Sequence, residues 1–452
     1  MSNAGPDSKL TSGGPYAWYV VSVLMLAYTV AFIDRQILSL LVQPIKRDLG
    51  VTDTQIGLLA GFAFAIFYSV LGVPIARLAD RTNRKTLISV GVVLWSVMTA
   101  ACGLTKSYWQ LFLMRIGVGV GEATLSPAAY SIMADYFPPQ KLARAIGVYV
   151  MGLYVGAGIA LLAGSAVVSI VSGGGAVELP IVGTLFPWQI VFFVVAIPGL
   201  VVLAFMTTVK EPPRREFGAD GSSKATMARS VPLRDLVDFF KRNNRLIVGH
   251  FGGFLALGTV ISAYLVWVPE FLRRTYDFSI PEAGVIFGLC LLVCGSAGPY
   301  AGGWFAEYLS ERGYRDAEMR AAIIGGSSMI PLTILAPLAP DRISAIVLLA
   351  LTTFFLSSPQ GLAPTIIQLI APNRMRAQIT AIFMFIGVLI GFSVGPAFVA
   401  MVTDYVFNDD AAIRYSLSIV SAILTPIGVG FLIYGLKPYG ERLAESPHVG
   451  TG

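Results

Sequence analysis

Charge is scarce in this chain. Only 13% of its 452 residues are Asp, Glu, Lys or Arg, about half the share of an ordinary soluble domain. A soluble fold must cover its exterior with polar side chains, so this scarcity excludes one. Histidine is rarer still, with His250 and His448 alone, and the three cysteines are Cys102, Cys290 and Cys294. These leave no metal-ligand spacing, no disulfide framework and no cofactor motif. With no His–Asp pair and no nucleophile motif, a lipid-modifying membrane enzyme lacks support. His250 reads as a structural histidine and His448 as part of a tail. The net charge of +6 sits in short loops and forms no basic stripe, which excludes nucleic acid as a partner. The tail Met1 to Pro15 is polar without an apolar core, so no cleavable signal peptide is expected.

What the chain has in quantity is apolar sequence, 55% of all residues. It comes in runs near the roughly 20 residues that cross a hydrocarbon core. Spans are expected near 17–42, 54–77, 85–105, 108–135, 141–171, 187–209, 244–272, 281–311, 318–338, 342–370, 375–403 and 411–436. The longest polar stretch, Lys210 to Asn243, divides them six and six. It carries Glu211-Pro212-Pro213-Arg214-Arg215 and then small residues, the composition of a linker. Within it, Val231 to Arg242 is expected to lie as a short amphipathic helix on the membrane surface. The organisation is therefore a tail 1–16, a bundle 17–209, a linker 210–243, a second bundle 244–437 and a tail 438–452.

Orientation follows from Lys and Arg. With the N-terminus inside, 23 basic residues face the cytoplasm, 7 face outward and 2 lie within spans. Both termini are expected to be cytoplasmic. The halves also echo one another. Pro138-Pro139-Gln140-Lys141-Leu142-Ala143-Arg144-Ala145 follows the fourth span, and Pro372-Asn373-Arg374-Met375-Arg376-Ala377 follows the tenth. Ala76-Arg77-Leu78-Ala79-Asp80 follows the second, and Gly303-Trp304-Phe305-Ala306-Glu307 sits near the eighth. Such repeats place a binding site at the interface between halves.

The segment Ala76-Arg77-Leu78-Ala79-Asp80-Arg81-Thr82-Asn83-Arg84-Lys85 resembles the signature of the major facilitator superfamily. Asn83 stands where the family usually has Gly, and Asn tolerates the left-handed turn expected there. Phe32-Ile33-Asp34-Arg35 in the first span, with Arg115-Ile116-Gly117-Val118-Gly119-Val120-Gly121-Glu122-Ala123-Thr124 in the fourth, resembles the Spinster branch. The resemblance implies the major facilitator fold, with twelve helices in two pseudo-symmetric bundles. It also implies an amphiphilic lipid substrate of the lysophospholipid or sphingosine-phosphate kind. Tail length and loop charge suggest a bacterial relative in the inner membrane, a monomer by default for this fold.

Asp34, Arg35, Arg115 and Glu122 are ionisable residues inside expected spans, and such residues are functional candidates by default. Arg115 and Glu122, seven apart, share a helix face. The arginines offer a phosphate or carboxylate their planar fork of donors, while Asp34 and Glu122 can carry protons as their surroundings change. The competing reading is a static ion network holding the first and fourth spans in register. The resemblance assigns Asp80, Arg81, Arg84, Asp135 and Arg144 to a cytoplasmic gate, against the plainer reading of topology-setting charge.

Small residues let helices pack closely. Gly147, Gly152, Gly156 and Gly158 in the fifth span, with Gly387, Gly391 and Gly395 in the eleventh, mark these two as equivalent surfaces between bundles. Ala157 takes a place where proton antiporters of the family often carry Pro. An apolar cavity for a lipid tail would draw on Tyr154, Phe254, Tyr264, Trp267, Phe383 and Phe385, although packing explains aromatic side chains equally well. Gln360 and Thr365, beside Pro359 and Pro364, are added because broken helical bonding exposes polar atoms. The expected activity is proton-linked transport of an amphiphilic anionic lipid. The alternatives are an organic-anion/proton symporter, a broad-specificity efflux transporter, and a receptor or scaffold.

Overall fold

The computed structural model describes residues 13–51, 55, 59, 74–79, 81–173, 177–179, 183–213, 233–372 and 375–445. Most of the expected second span, Asp80, the middle of the linker and both tips of the chain, with His448, lie outside them. Among the described residues, nine helices are long and apolar enough to cross a membrane.

Helix starts follow local chemistry. Pro15, Pro139 and Pro187 open the first, fifth and sixth spans, positions where a missing N–H is already without an intrahelical partner. Ser279 and Glu282 close a reciprocal capping box at the eighth span. Asp341 accepts from the amides of Ile343 and Ser344, both at 3.0 Å, at the tenth. Asn83 does the same for the third span, Arg84–Cys102, its carbonyl oxygen accepting from the Thr86 amide at 2.9 Å. Its backbone is extended, with φ −69° and ψ 113°, so the expected left-handed turn is corrected. The side chain serves the helix cap.

Among the described residues, the fourth, eighth and tenth spans are interrupted within their length, while the first is followed beyond Leu41 by a short helix, Val42–Leu49, and the eleventh runs on into a π-helical turn, Val402–Phe407. The fourth comprises Tyr108–Glu122 and Leu125–Tyr136, and Pro127 cannot donate to the carbonyl of Ala123 at the break. The tenth comprises Arg342–Ser357 and Leu362–Ile370, with Pro359 in the gap. The eighth passes from Ile280–Leu289 through a π-helical segment, Cys290–Gly295, into Ser296–Glu311. Pro299 withholds the amide that Gly295 would receive, which accounts for a wider turn at that point. The first span is Pro15–Leu40, the fifth Pro139–Gly173 and the sixth Pro187–Thr208. The seventh is Asn244–Tyr276, the ninth Ala317–Leu335, the eleventh Arg376–Met401 and the twelfth Ile413–Glu445. The twelfth outruns its expected end at 436. A small antiparallel ribbon pairs Val177–Leu179 with Gly183–Leu185 between the fifth and sixth.

Within the first bundle the first span packs on the fifth and the third on the fourth and sixth; in the second, the seventh packs on the eleventh and twelfth. The fifth span also lies along the eighth and joins the two bundles. Gly147 faces the Pro299 carbonyl and Gly158 that of Gly288, whereas Gly152 and Gly156 face Met25 and Thr29 of the first span. Among the described residues, Gly395 meets Thr259 of the seventh span and Gly391 lies near Gly258. Gly152 and Gly156 of the fifth span thus meet the first, and Gly391 and Gly395 of the eleventh meet the seventh, corresponding positions in the two bundles.

Gly13 donates to the Tyr136 carbonyl at 3.2 Å and the Tyr136 hydroxyl to that of Lys210 at 2.6 Å. The start of the first span and the ends of the fourth and sixth therefore meet at one end, the linker side. A linker helix, Leu233–Arg242, is present there. Its apolar residues Leu236 and Phe239 are buried with Ile247, Phe251, Ile367 and Ile379 of the second bundle. Its inner apolar side thus packs on the second bundle, while Val237 is exposed.

Candidate functional site

The first span supplies Asp34 and Arg35, and the opening helix of the fourth supplies Arg115 and Glu122. The structure brings all four together and sorts them into two pairs. Asp34 Oδ1 lies 3.2 Å from Arg115 Nη1, and Thr99 of the third span donates to Asp34 Oδ2. Asp34 and Arg115 are buried, as is Thr99, so this pair lies inside the first bundle. Arg35 Nε donates to Glu122 Oε2 at 2.6 Å, and its guanidinium lies 5.0 Å from the Phe32 ring centroid. Glu122 is buried and, among the described residues, its Oε1 has no hydrogen-bond partner, while Arg35 is 19% exposed at its side chain. A buried charge is tolerated when paired and hydrogen-bonded, and costs several kcal/mol when it is not.

A cavity of about 180 Å³ lies between the bundles, with Arg35 in its wall. Asp34, Arg115 and Glu122 stand behind that wall. The first bundle contributes Tyr28, Phe32, Tyr130, Leu153 and Tyr154, and the second Phe254, Leu255, Ile261, Gln360, Phe383 and Met384 among others. Of the expected lining residues, Tyr154, Phe254, Gln360 and Phe383 belong to it. Four do not, and three of these have a polar partner elsewhere. Tyr264 donates to the Thr333 carbonyl at 2.5 Å, the Trp267 indole to that of Pro396 at 2.9 Å, and Thr365 to that of Gly361 at 2.6 Å. Phe385 is half-buried away from the wall. Tyr28, Phe32 and Tyr130 were not anticipated; Phe32 and Tyr28 sit one helical turn apart on the face that carries Arg35.

Among the described residues, the polar side chains of the wall are Arg35, Gln360, Ser262, Thr380 and the tyrosines Tyr28, Tyr130 and Tyr154. Ser262 donates to the Gly391 carbonyl and to that of Thr259, and Thr380 accepts from Gln368 at 3.0 Å. His250 stands just outside, fully buried, its Nε2 2.8 Å from the Ala363 carbonyl and its ring among Phe251, Phe254 and Phe383.

On the linker side, Arg84 is buried and reaches Asp135 at 2.6 Å, Glu211 at 2.7 Å and the Ser131 hydroxyl at 2.8 Å. Arg144 reaches across the bundles to Glu307 at 3.2 Å and lies over the Trp18 ring. Arg376 approaches Asp135 at 4.0 Å, and Arg77 donates to Gln378 at 3.3 Å. Glu211, Glu307, Arg376 and Gln378 were missed in the sequence, although Glu307 and Arg376 stand within the repeats that echo the first bundle. Arg81 is exposed, and Asp80 lies outside the described residues.

Helices closing on a cavity at a bundle interface, with charges buried behind it, define a polytopic membrane transporter. The Major Facilitator Superfamily profile matches residues 24–396, and the chain belongs to that family. It is an all-α membrane protein of the major facilitator fold and a transporter, not an enzyme. An MFS-type efflux pump of Mycolicibacterium smegmatis is 30% identical over 93% of this chain and 92% of its own. A hexuronate transporter of Bacillus subtilis is 25% identical over 95% and 97%. The crystal structure of a bacterial homologue of the human lysosomal transporter Spinster, inward-facing and unoccupied, is 27% identical over 97% and 99%, with a TM-score of 0.59. The chain thus resembles the Spinster branch.

Proposed function

We propose that this protein moves an amphiphilic anionic lipid, of the lysophospholipid or sphingosine-phosphate kind, by proton-linked alternating access. The bundles 17–209 and 244–437 would rock about the linker 210–243 in the bacterial inner membrane, with both termini cytoplasmic. The observation that carries this reading is the Arg35 guanidinium in a wall whose other described residues are mainly aromatic and aliphatic. An anionic head group would take Arg35, and the tail would lie against Phe254, Phe383 and Met384.

Coupling follows from the same pair. Arg35 cannot serve Glu122 and an incoming anion equally, and a buried carboxylate stripped of its cation is costly. A proton on Glu122 removes that cost, so anion and proton enter together. The ion pair across the linker side supports a cycle of two states: this structure is tied there through Arg144–Glu307, while the similar Spinster homologue faces inward. The modest TM-score at near-complete coverage fits a difference in how the bundles are set.

The hexuronate relative favours a second reading, a soluble organic anion. A site for a sugar acid has to match several hydroxyls, and unmatched polar groups are penalised strongly. Beside Arg35 the described wall carries Gln360, Ser262, Thr380 and the tyrosines Tyr28, Tyr130 and Tyr154 among a majority of apolar residues, a balance that weighs toward the lipid. The M. smegmatis relative, an efflux pump, favours a third reading, broad-specificity efflux; cargo without an anionic group would not need Arg35. Binding by the purified protein separates the three. Lysophosphatidylglycerol affinity should rise with acyl length, by up to about 0.8 kcal/mol per buried methylene, and fall in Arg35→Ala. Glucuronate binding as tight as that of the lipid would move the assignment to organic anions. Chain-length dependence that survives Arg35→Ala unchanged would move it to efflux.

A further inference from the structure

We infer that the lipid-facing side of the eighth span, at its linker-side end, is a binding site for an anionic membrane phospholipid. This site is separate from the central cavity and does not depend on what the cavity carries. Tyr300, Trp304, Tyr308 and Arg312 recur every four residues and therefore fall on one face of the helix. Tyr300 is 44% and Trp304 50% exposed. The Trp304 and Tyr308 rings stack, with centroids 5.8 Å apart and planes 23° from parallel, and the Arg312 guanidinium covers Tyr308 at 4.0 Å. The result is a ladder of rings that ends in a cation.

The turn that follows holds more charge in place. Gly313, at φ +88°, lets the chain reverse, its amide donating to the Ser310 carbonyl at 2.9 Å while that of Tyr314 reaches Leu309 at 3.2 Å. This brings Tyr314, 44% exposed, and Arg315, also exposed, to the same end. Arg320 covers the Tyr314 ring at 4.9 Å and is neutralised by Asp316 at 2.5 Å. Glu307 and Glu318 are turned inward, to Arg144 and to Tyr439. Against the exposed Glu311, this leaves Arg312 and Arg315 as a basic excess above exposed aromatic rings.

Amphipathic rings settle at the level of lipid head groups, and basic side chains there attract anionic lipids by roughly 1 kcal/mol each, equivalent to about fivefold in affinity. Guanidinium groups suit phosphate in particular, since they present paired donors to its oxygens. The occupant is thus a phospholipid with a net negative head group. Its acyl chains would lie along Trp304 and Tyr300, and its phosphate near Arg312 and Arg315. The adjacent face of the same helix, about 100° around, carries Gly303 and Glu307, which touch Ala143 and Arg144 across the bundle interface. A lipid held on this helix is placed to bias that closure.

Native mass spectrometry of the detergent-purified full chain tests the site. Phosphatidylglycerol and phosphatidylcholine of identical chains would be titrated in parallel with glycerol phosphate. Retention should favour phosphatidylglycerol, glycerol phosphate should not compete, and Arg312→Gln with Arg315→Gln should cut the preference on the order of tenfold. Arg312→Lys with Arg315→Lys should restore most of it, which separates charge from misfolding. Equal retention of the two lipids would overturn the proposal. So would a preference that survives the glutamine variant or is abolished only by Arg35→Ala, because the lipid would then be in the cavity.

Discussion

Asp34 and Arg35 are neighbours in sequence, and a helix turns about 100° between them. That rotation sends Asp34 into the bundle, to Arg115 and Thr99, and brings Arg35 to the cavity wall. Four charges that read as one cluster in the sequence are thus two devices, a buried brace and a solvent-side pair. Removing Arg115 strips Asp34 of its cation where no water can replace it. Arg115→Ala should cost about 3–5 kcal/mol, seen as a lower midpoint of thermal unfolding in detergent. Arg35→Ala opens Glu122 to the cavity, where water or a proton compensates, so its loss should appear mainly in ligand binding. Equal stability losses from both variants, or none from Arg115→Ala, would contradict this division.

The long apolar runs made the spans legible, because lipid leaves so few options for backbone hydrogen bonds. Their interruptions were legible only in part. Pro359 and Pro364 announced the break in the tenth span. Pro127 and Pro299 carried the same signal for the fourth and eighth, but a run of apolar residues on both sides hid it. Which face of a helix meets which neighbour was not legible: Tyr264 and Trp267 read as cavity aromatics, yet each spends its polar atom on a carbonyl of an adjacent helix. The linker helix showed its amphipathicity in sequence, but not that its inner side packs on the second bundle. Close approach of the fifth and eighth spans gives the next prediction. A Cβ at Gly303 would sit 2.5 Å from the Ala143 carbonyl oxygen, whereas one at Gly284 meets nothing within 4 Å. Gly303→Leu should part the linker-side ends, measured as a longer distance between spin labels at Gln140 and Glu311. Gly284→Leu should leave that distance unchanged, and an unchanged distance in Gly303→Leu would show that this contact does not hold the bundles together.

At the scale of the whole molecule, two sets of charges stand in series along the bundle interface. The linker-side set anchors the first bundle through Arg84, Asp135 and Glu211 and ties it to the second through Arg144–Glu307. The cavity set is the pair Arg35–Glu122; in the proposed cycle it would offer Arg35 to the cargo and leave Glu122 to answer for the lost cation. Alternating access asks the first set to part while the second is occupied, and the transition needs the differential contacts that each state makes. In this account Glu122 links cargo to proton, and Arg35 is the switch between them.

The most direct measurement is lysophosphatidylglycerol flux in liposomes holding the purified protein, with and without a pH gradient, for wild type beside Glu122→Gln. The account predicts saturable wild-type flux that the gradient drives uphill. In Glu122→Gln, which imitates the protonated state permanently, the lipid should still bind and exchange downhill, but the gradient should no longer accumulate it. Gradient-driven accumulation that persists in Glu122→Gln, or wild-type flux indifferent to the gradient, would contradict it.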